Sequence, residues 1–238
     1  MEVLLAAAAC APSPPPPLAD WLPDPTLTDL LLPTDPWMLQ LLGVLPQADL
    51  YLQDEVHIAL HPTLTRIWCP ATRRGQRRVQ APGANDHQVG FGLVDWRDGW
   101  FDWALAPGRC AAPFCAQLRR AVERSSARGR IAVVLLDNLG IHTPRGSTLL
   151  RALQQEYGER LVLVYTPSYD PDSNRIEWLW RAMRRVVTHN HQRRTLAELL
   201  DDATVWAETL TPADVLLHIG SPCAPDLAAS AADLDYAA

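Results

Sequence analysis

The sequence predicts an α/β fold: a mixed sheet with helices on both faces. Three observations carry that expectation. "YLQDEVHIAL" (51–60) alternates with a period of two, setting Leu52, Val56, Ile58 and Leu60 on one face of a strand. "IAVVLLD" (131–137) is a continuous apolar run, as a central strand covered on both sides requires. Between and after these runs the texture passes from strands alone to strands alternating with helical stretches, the order of a mixed sheet.

Residues 1–48 form the lead-in. Ten of the 21 prolines fall within the first 46 residues, including the run Pro14 to Pro17, so this part reads as linker, with a short helix at about 37–45. The second domain spans 49–210. "TRIWCP" (65–70) and "HQVGFGLVDW" (87–96) read as strands joined to the first by turn-rich segments, and "GWFDWALAP" (99–107) as another. A helix is expected over about 113–126, then the central strand, a helix over about 144–157, and the strand "LVLVYTP" (161–167). Two helices follow, over about 175–188 and 195–209, and 211–238 reads as a loose, acidic, alanine-rich tail.

The net charge of −6 conceals a segregation. All 21 basic residues are arginines lying between Arg66 and Arg194; that segment holds 11 acids, a net of +10, whereas 1–65 and 195–238 each carry eight acids and no base. A basic centre between acidic ends suits a phosphate-bearing partner. The longest apolar run, from Val3 to Ala11, is nine residues, far below the ~20 that span a bilayer. Glu2 precedes it and no positive charge does, which argues against a secretory signal. Five scattered cysteines without zinc-ligand spacing read as reduced thiols. A cytoplasmic protein with no membrane partner is expected.

Three carboxylates stand out. Asp54 shares its strand face with Leu52, Val56 and Ile58, where an ionised group is costly unless paired or metal-bound; Glu55 faces the other way with Gln53 and His57. Asp137 closes the central strand, at the end where sites form in such sheets. Glu177 follows Asn174 by three residues, the spacing of a capping box. It also lies beside the core stripe Ile176, Leu179, Trp180, Met183 and Val187, on the same side as Arg181, Arg184 and Arg185. Capping and catalysis are compatible there.

"QDEVHIAL", then Trp68 and Gly75, then "LLDNLGIH", then "TPSYDPDSNRIEWLW" resemble the catalytic domain of the DDE superfamily endonucleases, specifically the mariner-like bacterial insertion-sequence transposases. The resemblance covers roughly 49–205 with its blocks in the family order. It implies an RNase H-like fold with a mixed five-stranded sheet, and an acidic triad matching Asp54, Asp137 and Glu177 that binds two divalent metal ions, Mg²⁺ or Mn²⁺. Asn138 and His142 match the family's asparagine and histidine after the second acid, as orienting or phosphate-contacting groups; Asn174 is a further auxiliary residue. Arg73, Arg74, Arg77 and Arg78 ("RRGQRR", 73–78), with Arg181, Arg184 and Arg185, are expected phosphate contacts. Trp178 and Trp180 read as packing, an exposed Trp178 having the further option of stacking on an unpaired base.

The implied activity is metal-dependent hydrolytic cutting of DNA followed by strand transfer through 3′-OH attack, moving an insertion sequence. The implied partner is double-stranded DNA, both element ends and target, bound by a homodimer and found with the nucleoid. Three departures are visible. Arg175 stands where the family commonly has proline, Asp170 where it has serine, and 39 residues separate Asp137 from Glu177. Residues 1–48 show no helix-turn-helix recognition module, which is then missing, encoded separately, or lost in a decayed copy. A catalytically silent remnant that keeps only DNA binding is the competing reading.

Overall fold

The computed structural model describes residues 47–66, 78–79, 82–83, 85–166, 174–221 and 223. The lead-in up to residue 46, the segment containing Trp68, Arg73, Arg74, Gly75 and Arg77, the stretch 167–173 and the end of the tail lie outside the described residues.

Among the described residues five strands form one sheet: β1 (Ala48–Ala59), β2 (His87–Asp95), β3 (Phe101–Ala106), β4 (Ile131–Leu136) and β5 (Leu161–Tyr165), in the order β3-β2-β1-β4-β5. The sheet is mixed: β2 pairs antiparallel with β3 and β4 parallel with β5. All six β4 residues are buried, as its unbroken apolar sequence requires of a strand covered on both faces. The helices are α1 (Ala111–Ala127), α2 (Thr148–Tyr157), α3 (Ile176–Met183), α4 (Leu196–Thr209) and α5 (Pro212–Ile219), with 3₁₀ turns at Gly140–His142 and Gly158–Arg160.

The chain divides into two compact units. The first comprises Met1–Tyr51 and Phe114–Asn174. Its start is clamped by a buried carboxylate: Asp49, fully enclosed, accepts from Arg130 at 2.8 Å and Arg128 at 3.2 Å. The backbone N–H of Ile131 donates to the Gln47 carbonyl at 2.8 Å, and Tyr51 Oη lies 2.9 Å from Ser125 Oγ.

The second unit comprises Leu52–Pro113 and Arg175–Ala238. The β2–β3 hairpin turns at Gly99, whose φ of +70° suits glycine and where a Cβ would strike the Pro212 carbonyl. Gly90 and Gly92 on β2 leave room for tryptophan rings: a Cβ at Gly90 would overlap Trp103, and one at Gly92 would overlap Trp180. Trp180 in turn meets Phe101 and Trp103, with centroids 6.2 and 5.9 Å apart. The glycines of "VGFGL" therefore let bulky aromatic rings lie close against the strand.

Several expectations need correction. Residues 65 and 66 are not strand; Thr63 makes only an isolated bridge to His189. The helix expected over 175–188 stops at Met183 and continues as a π turn, Arg184–Thr188. The helix expected from 144 starts at Thr148, where Ser147 caps it by accepting from Leu150 N–H. The tail expected to be loose from 211 opens with α5, an eight-residue helix. Its start is a capping box between Thr211 and Asp214 with Pro212 in the first turn, and its end is Gly220 in the left-handed conformation. Val215, Leu216 and Ile219 bury its apolar side. The acidic composition of the tail hid these signals.

Candidate active site

Asp137 lies one residue past β4, where the chain turns. Its Oδ1 accepts from Leu139 N–H at 3.1 Å, closing an Asx turn, and from His142 Nδ1 at 2.5 Å. An ionised carboxylate only accepts, so Nδ1 of this histidine carries the proton. His142 is fully buried, its ring 4.4 Å from that of Phe114, and its carbonyl accepts from Tyr165 Oη at 2.8 Å. The Asp137 side chain nevertheless remains 42% exposed. His142 therefore orients an accessible carboxylate from below. Asn138 turns away from that carboxylate: its amide donates to the Thr166 carbonyl at 2.7 Å, joining the ends of β4 and β5.

Asp54 sits in the second unit on β1, half-buried. Its Oδ2 accepts from Trp180 Nε1 at 3.1 Å. Glu55, set aside by strand alternation as the outward acid, is the more enclosed of the pair at 8% exposure, and accepts from Gln53 Nε2 at 3.0 Å. Both faces of β1 are covered at this point, so alternation alone does not separate a functional acid from a structural one.

Glu177 lies in the first turn of α3, where the helix dipole favours an anion. The N-cap residue is Arg175, which makes no side-chain capping bond, and Glu177 Oε2 accepts from Arg184 at 3.1 Å. Asn174 is buried just before the helix. Trp180 follows Glu177 by three residues, on the same side of α3, and it is Trp180 that binds Asp54. One helix thus carries both an acid and the donor that orients another. Sequence reasoning assigned Trp180 to packing only; its indole N–H is the missed contribution, and the strand glycine that admits its ring was the available signal.

Each acid is engaged by a different neighbour, and among the described residues no group of three or more His, Cys, Asp and Glu side chains is gathered so as to hold a metal ion. The donor set is nonetheless of the hard-oxygen type that suits Mg²⁺ or Mn²⁺.

The arginines after Glu177 line a cavity of about 480 Å³ with Thr65, Arg66 and His189. Arg181, Arg184 and Arg185, singled out as phosphate contacts, therefore share one basic wall with His189, whereas Arg66 was missed because sequence periodicity cannot link it to residues so far along the chain. Of the "RRGQRR" arginines only Arg78 is described; it is exposed, and its carbonyl accepts from Gln192 at 3.0 Å. Arg175 covers the Trp178 ring, 4.1 Å from its centroid, so stacking of that ring is already taken on one face. Cys110, Cys115 and Cys223 are free thiols. No described helix is long and apolar enough to cross a membrane.

The chain is 28% identical over 162 residues to the insertion element IS630 uncharacterized 39 kDa protein of Shigella sonnei; the match covers 68% of this chain but 45% of that one. Two solved structures share the fold at 13% identity. The Mos1 mariner paired-end complex with Mn has a TM-score of 0.53, covering 73% of this chain and 52% of the other. The Mos1 transposase paired-end complex with left transposon end has a TM-score of 0.55, covering 93% and 66%. Residues 49–200, most of the chain, match the model of one family. The chain belongs to the DDE superfamily endonucleases.

Proposed function

We propose that this chain is the catalytic domain of an insertion-sequence transposase, cutting DNA at element ends and joining them to a target. The observation that carries the reading is the family match over 49–200, which contains Asp54, Asp137 and Glu177. The topology supports it. β1 and β4 are neighbours in the sheet; Asp54 lies on β1 and Asp137 one residue past β4. A carboxylate on the following helix, Glu177, completes the set. The Mn-bound Mos1 complex among the fold relatives supports a divalent ion, and the three acids are proposed to hold two.

When bound, Mg²⁺ or Mn²⁺ would lower the pKa of an attacking water and neutralise charge building on a scissile phosphate. The chain's own residues supply the rest. His142 and Trp180 hold Asp137 and Asp54 in fixed orientations by donating to one oxygen of each. Glu177, now paired with Arg184, would help hold the ion. In hydrolysis, a water oxygen bonds to phosphorus as the P–O3′ bond breaks, leaving a 3′-OH and a 5′-phosphate. In joining, that 3′-OH oxygen bonds to a target phosphorus and a target 3′-OH leaves. The two steps differ only in the nucleophile. Duplex DNA, element ends and target, is the proposed substrate. A homodimer and a separately encoded recognition part are proposed partners.

The test is nicking of DNA carrying the element ends, with Mg²⁺ or Mn²⁺, by the parent and by Asp137→Asn. Loss of nicking in the variant is expected. Equal nicking by both defeats the proposal, and DNA binding without metal-dependent cleavage favours the silent remnant.

A further inference from the structure

The basic cavity lies wholly within the second unit and is built from two strips of chain. One is the end of α3 with the π turn, giving Arg181, Arg184, Arg185 and His189; the other is the segment at Thr65 and Arg66. The strips are fastened together. Asn190, in the left-handed conformation at φ 51°, accepts from Thr65 N–H at 3.1 Å, donates to the Thr65 carbonyl at 3.0 Å, and donates its own N–H to the Thr63 carbonyl at 3.0 Å. Its side chain thus pairs with the Thr65 backbone as a strand partner would, fixing the Arg66 wall. The π turn closes with His189 N–H donating to the Arg184 carbonyl at 2.7 Å. Such turns recur at functional sites because the widened helix re-aims its side chains. The Nδ1 atom of His189 is buried and has no hydrogen-bond partner, on a residue lining a cavity with four guanidinium groups. A wall of that composition is made for an anion with several acceptor oxygens.

Arg184 belongs to two sites at once. It lines the cavity, and its Nη2 donates to Glu177 at 3.1 Å, with both side chains about a third exposed. An anion in the cavity competes with Glu177 for this guanidinium. A metal ion competes with the guanidinium for Glu177, since a cation ligand cannot share the carboxylate with a positive neighbour at no cost.

We infer that the cavity takes a backbone phosphate of duplex DNA and that the phosphate draws Arg184 away from Glu177, readying that carboxylate for metal. This rests on the metal-dependent reading above and adds an order to it: DNA first, full metal affinity second. The same latch keeps Glu177 paired while no DNA is bound.

Two measurements test it, neither of them cleavage. In the first, duplex binding is followed by fluorescence anisotropy in EDTA across a salt series. Arg66→Ala/Arg185→Ala is expected to bind more weakly and with a log–log salt slope shallower by about one, the counterion released by one phosphate. Affinity and slope equal to the parent overturn the inference. Saturable binding of inorganic phosphate that depends on Arg66 and Arg185 but leaves duplex affinity unchanged also overturns it, assigning a free anion instead. In the second, Mn²⁺ binding is titrated by electron paramagnetic resonance with and without duplex. Without DNA, Arg184→Gln is expected to bind Mn²⁺ up to about fivefold tighter than the parent, the limit for a part-exposed ion pair. Duplex should then tighten Mn²⁺ binding more in the parent than in the variant. Arg184→Met serves the same purpose if thermal melting shows Arg184→Gln to be unfolded. Equal Mn²⁺ affinities, or equal tightening by DNA, overturn the latch. The failures are distinguishable: retained nicking by Asp137→Asn removes the metal reading, while parent-like pocket and latch variants remove only this inference.

Discussion

Asp49 and Asp137 are two aspartates of the same unit, and they are held in opposite ways. Asp49 is fully enclosed and bound by two arginines, so its charge is cancelled in place. Asp137 is 42% exposed and held through one oxygen by a histidine and a backbone amide. The first arrangement makes a carboxylate part of the scaffold. The second orients a carboxylate and leaves it reachable. Asp54 and Glu55 repeat the contrast within β1, the half-buried acid bound by an indole and its neighbour enclosed. Depth of burial therefore marks the structural acids here, and partial exposure with a firm donor marks the candidates for chemistry.

The sharpest way to break that comparison is to neutralise each aspartate in turn. Asp49→Asn leaves Arg128 and Arg130 facing an uncharged group and should cost about 3 kcal/mol of stability. Asp137→Asn, on an exposed turn, should cost under about 1 kcal/mol yet abolish metal-dependent nicking. Urea denaturation and the nicking assay read the two effects separately. A large stability loss at Asp137 would place it with the scaffold.

Gly92→Ala comes next. The new Cβ overlaps the Trp180 ring, so the indole must move, at about 1–3 kcal/mol, and with it the donor to Asp54. Gly90→Ala is the partner experiment: it displaces Trp103, whose buried indole N–H has no hydrogen-bond partner among the described residues, and should destabilise to a similar extent while retaining nicking. Equal loss of nicking in both would show that strand distortion, rather than the Trp180–Asp54 bond, governs activity.

His142 allows a smaller and more specific test. His142→Leu keeps bulk against Phe114 and removes the Nδ1 donor; His142→Asn restores a donor at nearly the same place. Loss of one hydrogen bond to a charged group, about 1.5–3 kcal/mol at most, sets the ceiling on the expected fall in nicking rate. Partial recovery in His142→Asn, at unchanged stability, identifies orientation of Asp137 as the cause. No recovery would leave His142 a packing residue.

Much of this was legible in the sequence, and what escaped has physical reasons. The order of elements and the central strand followed from "IAVVLLD" and the alternation after it, because burial on both faces leaves an unbroken apolar run. The three acids were legible as residue types in family order. Their partners were not. Trp180 looks like any core tryptophan until a strand glycine brings its N–H to Asp54, and Arg66 joins Arg181 and Arg184 only through the Asn190 clasp. The spacing of Asn174 and Glu177 announced a helix start, but nothing in it announced that Arg184, further along the chain, would donate to the Glu177 carboxylate. Helix α5 was overlooked because the composition of the whole tail outweighed a short local signal, Thr-Pro-Ala-Asp, at its start.

The smallest expected effect extends the comparison from acids to bases. His191 is lowered below the ordinary histidine range chiefly by burial, and its Nδ1 accepts from Arg193 N–H at 3.2 Å, a bond that only the unprotonated nitrogen can make. His57 is lowered too, by burial first and then by Arg109 and His87. In the unfolded chain both take up a proton near pH 6.5. Below that pH the unfolded state binds more protons than the folded one, so stability falls as pH falls; above it the contribution is complete. The lowered carboxylates Glu198 and Asp214 follow the same sign but act only in more acid solution, since their ordinary values lie near 4.5 and 3.8. Urea midpoints measured between pH 7.5 and 5.5 thus isolate the histidines. The midpoint should drop across that range in the parent and drop less in His191→Gln. An unchanged parent midpoint would mean that neither histidine is held neutral by the fold, and burial would then cease to distinguish scaffold groups from reactive ones in this unit.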